Sequence, residues 1–270
     1  MSIYEIPVEQ RHILKPLTAH LTDTMILSCL QGHMGEAYAD DPVKPASCRL
    51  DVVDFSFLCG EPNEELAAFK PLDVLLERGE KARNFMIMVP ENDAWADVID
   101  RVHKGCSKLV SRYGFCHTSE GFEQERLQEA VNSLSEEFKL KQIDRELYEK
   151  SLAATWKEWH WASDWCGQYW NFEDYQKHGL GMAVLHGDEL VAGASAYSYY
   201  DEGIEIQIDT REDYRRKGLA YVCASALMLE CLKRGLYPSW DAQNLISVKL
   251  AGKLGYRYAG EYVAYEVIWE

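Results

Sequence analysis

The sequence predicts an α/β protein, in which a mixed twisted sheet with helices on both faces follows a smaller α/β domain. Ile204–Thr210, IEIQIDT, alternates apolar and polar residues with the period of a strand that has one buried face. Helical spacing follows at once, from Leu219 to Leu229, and Gly235 is a stop signal. Other strand-like segments are separated by turns and helices, which favours a sheet covered by helices.

The chain of 270 residues is long enough for one large domain or two smaller ones. We predict an N-terminal α/β domain over residues 1–112 and a second domain over residues 113–270, with the first domain open to being a degenerate copy of the second. No apolar run approaches membrane-spanning length, and the N-terminus lacks the apolar segment of a signal peptide. The eight cysteines are scattered and form no CxxC motif, which favours reduced thiols. We therefore expect a cytoplasmic protein without a membrane partner.

The formal net charge of −16 argues against nucleic acid as the main partner. It mildly favours a cationic ligand, although acidic cytosolic proteins with no such ligand are common. The sequence leaves the oligomeric state open, with a homodimer among the options.

The N-terminal domain has its own α/β pattern. We predict, in chain order, helical spacing over residues 8–31, a strand Arg49–Cys59, a helix from Asn63 through Leu76, a strand Phe85–Val89 and a helix from Asn92 to about Lys104. No glycine-rich turn follows a strand here, so we predict no second cofactor. The histidines lack metal-ligand spacing, and we predict no metal site.

The middle of the chain combines regular elements with an aromatic segment. We predict a helix Glu120–Leu134, a strand Glu136–Ile143 and a helix capped by Asp144. Five of the eight tryptophans then lie between Trp156 and Trp170. They either pack short helices onto the sheet or form an aromatic wall around an acceptor pocket.

The C-terminal part reads as strands and helices in alternation. We predict strands Gly181–Leu185 and Glu189–Tyr199, a short strand Leu236–Asp241, a helix from Asn244 closed by Gly255, and a final antiparallel pair in Tyr256–Glu270. Between the strand that ends at Thr210 and the helix from Leu219 lies a basic turn. Free N–H groups and the helix dipole meet there, which favours bound phosphate. A solvated basic loop is the alternative.

This order resembles the GNAT superfamily of acyl-CoA-dependent N-acyltransferases. The motifs that carry the resemblance are R-x-x-G-x-A at Arg215–Ala220 and N-x-x-S-x-x-L-x-x-K-x-G-Y at Asn244–Tyr256. The superfamily resemblance covers about residues 136–270. GLYPSWDAQNLISVKLAGKLGY and EIQIDTREDYRRKGLA further resemble the zwittermicin A resistance-type branch.

The resemblance implies acetyl-CoA as co-substrate and a mixed sheet of the GNAT type. The residues that it places at the cofactor are Ile208, Asp209, Thr210, Arg215, Arg216, Lys217, Gly218, Leu219, Ala220, Asn244 and Ser247. Backbone amides of Arg216–Ala220 would hold the pyrophosphate, and Ile208–Thr210 would pair with the pantetheine arm. Where the family often has a tyrosine as general acid, this chain has Ala251.

The function that follows is transfer of an acetyl group to a small-molecule primary amine by direct attack. Glu205, on the open face of its strand, is the first candidate for the general base, and Asp241 is the second. Tyr256, Ser247 or water could replace the missing acid. Each carboxylate could instead be structural. A CoA-binding sensor or partner-docking module without catalysis is the alternative function. A nucleotide-binding protein is disfavoured, because the sequence lacks a Walker or dinucleotide-binding motif.

Overall fold

The computed structural model describes residues 2–70 and 84–269. Two compact units make up the chain: Met1–Arg112 together with Glu261–Glu270, and Tyr113–Gly260. The sequence places residues 261–270 in the second domain, whereas here they group with the first unit. The reason is a non-local strand pairing described below.

The described strands are, in chain order, β1 (Tyr4–Glu5), β2 (Glu36–Ala39), β3 (Ser47–Val52), β4 (Phe55–Gly60), β5 (Phe85–Pro90), β6 (Ser107–Phe115), β7 (Phe138–Gln142), β8 (Gly181–His186), β9 (Glu189–Tyr200), β10 (Gly203–Thr210), β11 (Tyr237–Ser239) and β12 (Tyr258–Ile268). The described helices are α1 (Lys15–Thr18), α2 (Thr24–Leu30), α3 (Glu64–Ala68), α4 (Asp93–Val102), α5 (Gln124–Asn132), α6 (Arg145–Ala153), α7 (Phe172–His178), α8 (Leu219–Lys233) and α9 (Leu245–Leu254). Both sheets mix parallel and antiparallel pairs, which confirms the predicted α/β class.

A seven-stranded sheet has the order β1-β2-β3-β4-β5-β12-β6. In the first unit, α4 buries Trp95 and Ile99 against a core that includes Met88. The helix begins where predicted, because the Asn92 side chain accepts a hydrogen bond from the Trp95 N–H at 3.1 Å.

Three expectations for this unit were wrong. The predicted strand over residues 49–59 is a hairpin of β3 and β4, in which Val53 has a φ of 56°. The residues on both sides of this turn are mostly hydrophobic, so hydrophobic periodicity alone does not indicate the turn. The predicted helical stretch over residues 8–31 is broken, since Asp23 caps a new helix at Met25 N. The described part of the helix from Asn63 is Glu64–Ala68, and its predicted residues 71–76 lie outside the described residues.

The predicted antiparallel pair in residues 256–270 is also wrong. A single strand, β12, runs through this stretch, and Tyr265 pairs with Met88 of β5. The partner is about 180 positions earlier in the chain, so local turn signals do not indicate it.

In the second unit, a five-stranded sheet has the order β11-β10-β9-β8-β7. Neighbouring strands run antiparallel except β10 and β11, which are parallel. Helix α8 buries Leu219, Cys223 and Leu227 in the core of this unit. A 3-10 turn, Ser163–Trp165, packs on the sheet, where the Trp165 ring occupies the space that a Cβ on Gly193 would need.

Candidate active site

Strand β10 is paired on both edges at its start and on one edge at its end. Its parallel register with β11 covers Gly203 to Glu205, and Glu205 lies opposite Ser239. The chain then leaves β10, and Ala242 exchanges two 3.0 Å backbone hydrogen bonds with Tyr113. From Ile206 onward, the register within the described residues gives β10 a partner strand only in β9. Among the described residues, the second half of β10 therefore has one edge without a partner strand.

The segment after β10 turns sharply into α8. A 3-10 turn, Glu212–Tyr214, precedes two residues in the left-handed region: Arg216 with a φ of 65° and Gly218 with a φ of 79°. A left-handed backbone costs a non-glycine residue on the order of 1 kcal/mol. A Cβ built on Gly218 would meet no atom within 4 Å, so the space in front of this residue is open.

The N-terminus of α8 has no side-chain cap, since its N-cap residue is Gly218. By contrast, Asp144 caps α6 by accepting from Leu147 N at 3.0 Å. The first N–H groups of α8, at Leu219 and Ala220, have no carbonyl partner within the helix by its geometry. Uncapped N–H groups and the positive end of the helix dipole thus face the open space beside Gly218.

The three basic side chains of the turn are exposed. The Arg215 Nε atom donates to the Thr210 carbonyl oxygen at 3.3 Å. The Lys217 ammonium lies 4.8 Å from the centre of the Tyr214 ring. These contacts hold positive charge beside the turn.

The end of β10 contributes three predicted cofactor residues. Ile208 is partly buried against the core. Among the described residues, the buried Thr210 hydroxyl has no hydrogen-bond partner. Burial raises the pKa of the Asp209 carboxyl from 3.8 to about 7, although the Gln207 amide donates to it at 2.9 Å. Asp209 therefore offers a carboxyl group that exchanges a proton near neutral pH.

The predicted cofactor residues on α9 lie at its first turn. The Asn244 Oδ1 atom caps the helix, accepting from the N–H groups of Ile246 and Ser247 at 3.0 Å each. The Ser247 hydroxyl accepts from the Trp240 indole N–H at 3.1 Å. The Asn244 oxygen is thus used by the helix, and its amide nitrogen is the group that could donate to a ligand.

Glu205 lies in a buried group of hydroxyl side chains. It is 6% exposed, so the expectation that Glu205 lies on an open strand face is wrong. Ser198 and Ser239 lie opposite it on the two neighbouring strands. Burial raises the pKa values of Tyr200 and Tyr237, and the Glu205 carboxylate raises both further. The first-choice base is therefore within electrostatic range of two phenols.

The other two catalytic candidates differ in their surroundings. Tyr256 is buried, and its hydroxyl donates to the Pro238 carbonyl oxygen at 2.6 Å. Burial holds the pKa of this phenol well above its ordinary value. Asp241 is half-buried and directly precedes Ala242, the residue that bridges to Tyr113. Glu205 and Tyr256 are brought together around β10 and β11.

A family model described as GNAT acetyltransferase matches residues 15–265. This chain belongs to the GNAT acetyltransferase family. The GNAT fold also appears in its solved relatives. A GCN5-related N-acetyltransferase-like protein from Streptococcus suis 89/1591 is 41% identical, with a TM-score of 0.84 over 96% of this chain and 98% of that one.

Two further relatives of this GNAT chain match over most of their length. The Bacillus subtilis (strain 168) protein named Uncharacterized N-acetyltransferase YdfB is 29% identical over 236 residues, which are 86% of this chain and 85% of the relative. A tandem GNAT protein from the clavulanic acid biosynthesis pathway is 9% identical, with a TM-score of 0.58 over 99% and 98% of the two chains. The second match shows a shared fold alone.

The aromatic segment of this GNAT chain divides between core and surface. Trp165, Tyr169 and Tyr175 are buried, whereas Trp159 and Trp170 are 71% and 80% exposed. The buried rings pack short elements onto the sheet, which is one of the two predicted interpretations. The exposed indoles leave the second interpretation, an acceptor wall, as a proposal.

Outside this site, a cleft of about 670 Å³ lies in the first unit. Its lining includes Lys70, Lys104 and Trp269, and its Lys108 ammonium is 3.1 Å from a Glu266 carboxylate oxygen. No strand-to-helix turn is among its lining residues. The GNAT motif residues lie in the second unit, which therefore holds the candidate active site.

Other classes of site find little support in the part of the chain that the structure describes. No cluster of three or more histidine, cysteine or acidic side chains there could hold a metal ion. No described helix is long and apolar enough to cross a membrane. Burial raises the pKa of the Cys223 thiol strongly and that of Cys231 to about 12, which makes both poor nucleophiles at neutral pH.

Sequence reasoning missed the hydroxyl and imidazole groups near Glu205. Tyr200 lies near Glu205 on the neighbouring strand, and His117 contacts Tyr200 from 83 positions away in the sequence. Asp209 was expected to act through its backbone, whereas its side chain also has an unusual environment. The alternation of Glu205 and Asp209 on one strand face was the available signal for the latter.

Proposed function

We propose that this chain is an acetyl-CoA-dependent N-acetyltransferase that transfers the acetyl group to a primary amine of a small molecule. The transfer occurs by direct attack within a ternary complex, in the cytoplasm. The observation that carries the proposal is the uncapped N-terminus of α8 at Gly218, directly after a strand with one open edge. The stretches GLYPSWDAQNLISVKLAGKLGY and EIQIDTREDYRRKGLA further support a place in the zwittermicin A resistance-type branch.

The turn before α8 fits the diphosphate of acetyl-CoA. A Cβ at Gly218 would meet no atom within 4 Å, so this glycine leaves room for an anion to approach the amides of Arg216–Ala220. Arg215 and Lys217 add positive charge at the rim. The free edge of Ile208–Thr210 fits an extended pantetheine arm, whose amides can pair with a strand edge. When bound there, acetyl-CoA supplies an activated acetyl group as a thioester.

Glu205 fits the role of general base. An alkyl ammonium group has a pKa of about 10.4, so deprotonation at pH 7 costs about 4 to 5 kcal/mol. A carboxylate held next to the amine can accept this proton as the nitrogen attacks. Glu205 is 6% exposed, and a carboxylate in a low-dielectric setting attracts an ammonium group more strongly than one in water does. Asp241 is the second candidate for this role.

The leaving thiolate takes its proton from water in this proposal. The Tyr256 proton is held by the Pro238 carbonyl oxygen, and burial raises the pKa of the phenol. A thiol has a pKa of about 8.5, so transfer from such a phenol to the thiolate is uphill. A thiolate is also a good leaving group without an acid, which fits the alanine at position 251.

The acceptor we propose is a small amine that is cationic before reaction. The carboxyl groups of Asp164 and Asp209 lie close enough for Asp164 to raise the pKa of Asp209. Asp164 is exposed and lies in the aromatic segment, in which Trp159 and Trp170 are exposed as well. Carboxyl groups beside aromatic rings attract organic cations through charge and ring-face contacts. The identity of the amine is then a question for a panel of polyamines, amino sugars and other small amines.

The test measures thiol release from acetyl-CoA across that amine panel, from pH 6 to pH 10, for the wild type and Glu205→Gln. We expect Glu205→Gln to lower the rate at pH 7 by about 100-fold or more, with recovery towards pH 10, where the amine is already neutral. Glu146→Gln is the matched control, because Glu146 is an exposed residue that pairs with Lys150. Equal rates for wild type and Glu205→Gln at every pH would remove the base role.

A CoA-binding module without catalysis is the second candidate. The buried Ala251, at a position where family members often have a tyrosine, is the observation that favours it. Tight binding of acetyl-CoA combined with no transfer to any amine of the panel would support this alternative.

A further inference from the structure

A line of hydrogen-bonding side chains runs from the protein surface toward Glu205. The exposed His117 ring has its Nε2 atom 3.3 Å from the Tyr200 hydroxyl oxygen. The same hydroxyl lies 3.0 Å from the Ser239 Oγ atom. Tyr200 is 3% exposed and Ser239 is 4% exposed. The line therefore has one end in solvent and the other in the protein interior.

The register of three strands places the inner end of this line next to Glu205. Ser239 on β11 is the direct partner of Glu205 on β10. Tyr200 on β9 is the partner of Gly203, two residues before Glu205 and hence on the same face. A Cβ at Gly203 would lie 2.7 Å from the Tyr200 hydroxyl oxygen. The glycine thus allows the phenol to cross β10 and reach Ser239.

Hydrogen-bond partners distinguish Tyr200 from the other phenols near Glu205. The Glu205 carboxylate contributes to raised pKa values at Tyr200, Tyr237 and Tyr256, although burial is the larger cause at each. The hydroxyls of Tyr237 and Tyr256 donate to backbone carbonyl oxygens. The Tyr200 hydroxyl instead contacts two side chains that can both accept and donate a proton.

The proposed reaction leaves one proton to be removed from the site. An ammonium group and a thioester give an amide, a thiol and one free proton at neutral pH. The new C–N bond forms, the C–S bond breaks, and the nitrogen gives up two protons. One of them replaces the proton that water gives to the thiolate, and Glu205 holds the other. Because Glu205 is 6% exposed as a residue, it has little direct contact with solvent. A route for this proton is needed before the next turnover.

We propose that Tyr200 and His117, with Ser239 holding the phenol in place, relay this proton from Glu205 to solvent. The proposal rests on the base role of Glu205 given above. Tyr200 passes its hydroxyl proton to His117 Nε2 and takes one from Glu205, directly or through the Ser239 hydroxyl. His117 then releases its Nδ1 proton to solvent. Every group except Glu205 ends with as many protons as it had, and Glu205 returns to its carboxylate form.

The surroundings of His117 suit the outer end of such a relay. Partial burial lowers the pKa of its imidazole, and the nearby Glu202 carboxylate opposes this effect. The Tyr237 ring packs edge-on at 4.0 Å between ring centres, and Tyr200 faces it at 6.3 Å. An imidazole with a lowered pKa gives up an added proton readily at neutral pH.

The kinetic test compares His117→Asn and Tyr200→Phe with the wild type at very low buffer concentration. We expect kcat to fall about tenfold or more in each variant. Added imidazole should restore His117→Asn, because it can take the proton from Tyr200, and should not restore Tyr200→Phe. The matched control is His186→Asn, since His186 is also an exposed histidine whose Nδ1 lies 2.7 Å from a tyrosine hydroxyl, that of Tyr214. A His117→Asn enzyme that matches His186→Asn at every buffer concentration would overturn the relay.

A second measurement does not need turnover. If the Tyr200 hydroxyl donates to His117 Nε2, nitrogen NMR of the wild type should show the proton of neutral His117 mainly on Nδ1. Tyr200→Phe should shift that balance, and His186→Asn should not. An unchanged His117 spectrum in Tyr200→Phe overturns the relay. By contrast, failure of every amine to react, or a Glu205→Gln enzyme with wild-type rates, counts against the proposed function itself.

Discussion

Replacement of Gly218 by aspartate would place a carboxylate at the proposed diphosphate site. The residue is exposed, has a φ of 79° and has no atom within 4 Å of the added Cβ. Gly235, at the other end of α8, provides the matched control. It is exposed as well, with a φ of 72° and no atom within 4 Å of an added Cβ. The backbone strain of an aspartate is therefore similar at the two positions.

The expected loss of affinity follows from Coulomb's law. A diphosphate with about two negative charges at roughly 5 Å from the new carboxylate is repelled by about 2 kcal/mol in bulk water and by more near a protein surface. Salt screening reduces the larger value. A penalty of about 2 to 3 kcal/mol corresponds to a 30- to 150-fold rise in the Kd for acetyl-CoA, at about 1.4 kcal/mol per tenfold.

Stability should change in the opposite sense. An aspartate at the N-terminus of α8 is favoured by the helix dipole, and one at the C-terminus is disfavoured, each by about 0.3 to 1 kcal/mol. Gly218→Asp should therefore have a Tm equal to or above that of Gly235→Asp. Calorimetric titration with acetyl-CoA and thermal unfolding measure the two quantities. Equal Kd values for the two variants would refute the location of the anion site.

Three further changes test the surroundings of the site. The pKa of Asp209 is raised from 3.8 to about 7, so its contribution to stability is present below about pH 4 and is lost as the pH rises through 7. Asp209→Asn should thus gain stability over the wild type between pH 4 and pH 8, by at most about 4 kcal/mol, and urea unfolding at several pH values with no such trend would contradict this. Tyr256→Phe should unfold more easily by about 1 to 3 kcal/mol, because the Pro238 carbonyl loses its partner, yet keep its kcat; a large loss of kcat would instead restore Tyr256 as the acid. Gly193→Val should cost about 1 to 3 kcal/mol or more in urea unfolding, because a Cβ there would lie 2.5 Å from the Trp165 ring, and a stable variant would argue against this packing.

Local sequence signals predicted the elements that carry the motif residues. The alternation in Ile204–Thr210 predicted the strand β10, although its first four residues are all buried and its last four are all half-buried. Asn92, Asp144 and Asn244 were recognised as N-caps, and each side chain accepts a hydrogen bond from its helix. Gly218 stood out because its turn joins a strand to a helix. Such features depend on neighbours within a few residues.

Non-local features escaped the sequence reading. The last strand, β12, pairs with β5, which local spacing cannot indicate. The turn at Val53 also carries no glycine, asparagine or proline at its left-handed position, so its hairpin resembled one long strand. Tyr200 and His117 are 83 positions apart in the sequence, and only the course of the strands brings them into contact. For such contacts the fold has to be known first.

Nuclear magnetic resonance of glycine amides tests the central claim most directly. With nitrogen-labelled glycine, the chain gives at most 18 amide signals, which substitutions can assign. Addition of acetyl-CoA should shift the Gly218 signal strongly and leave the Gly235 signal in place, because a diphosphate would contact the amides at one end of α8. Saturating acetyl-CoA with an unmoved Gly218 signal would contradict the account.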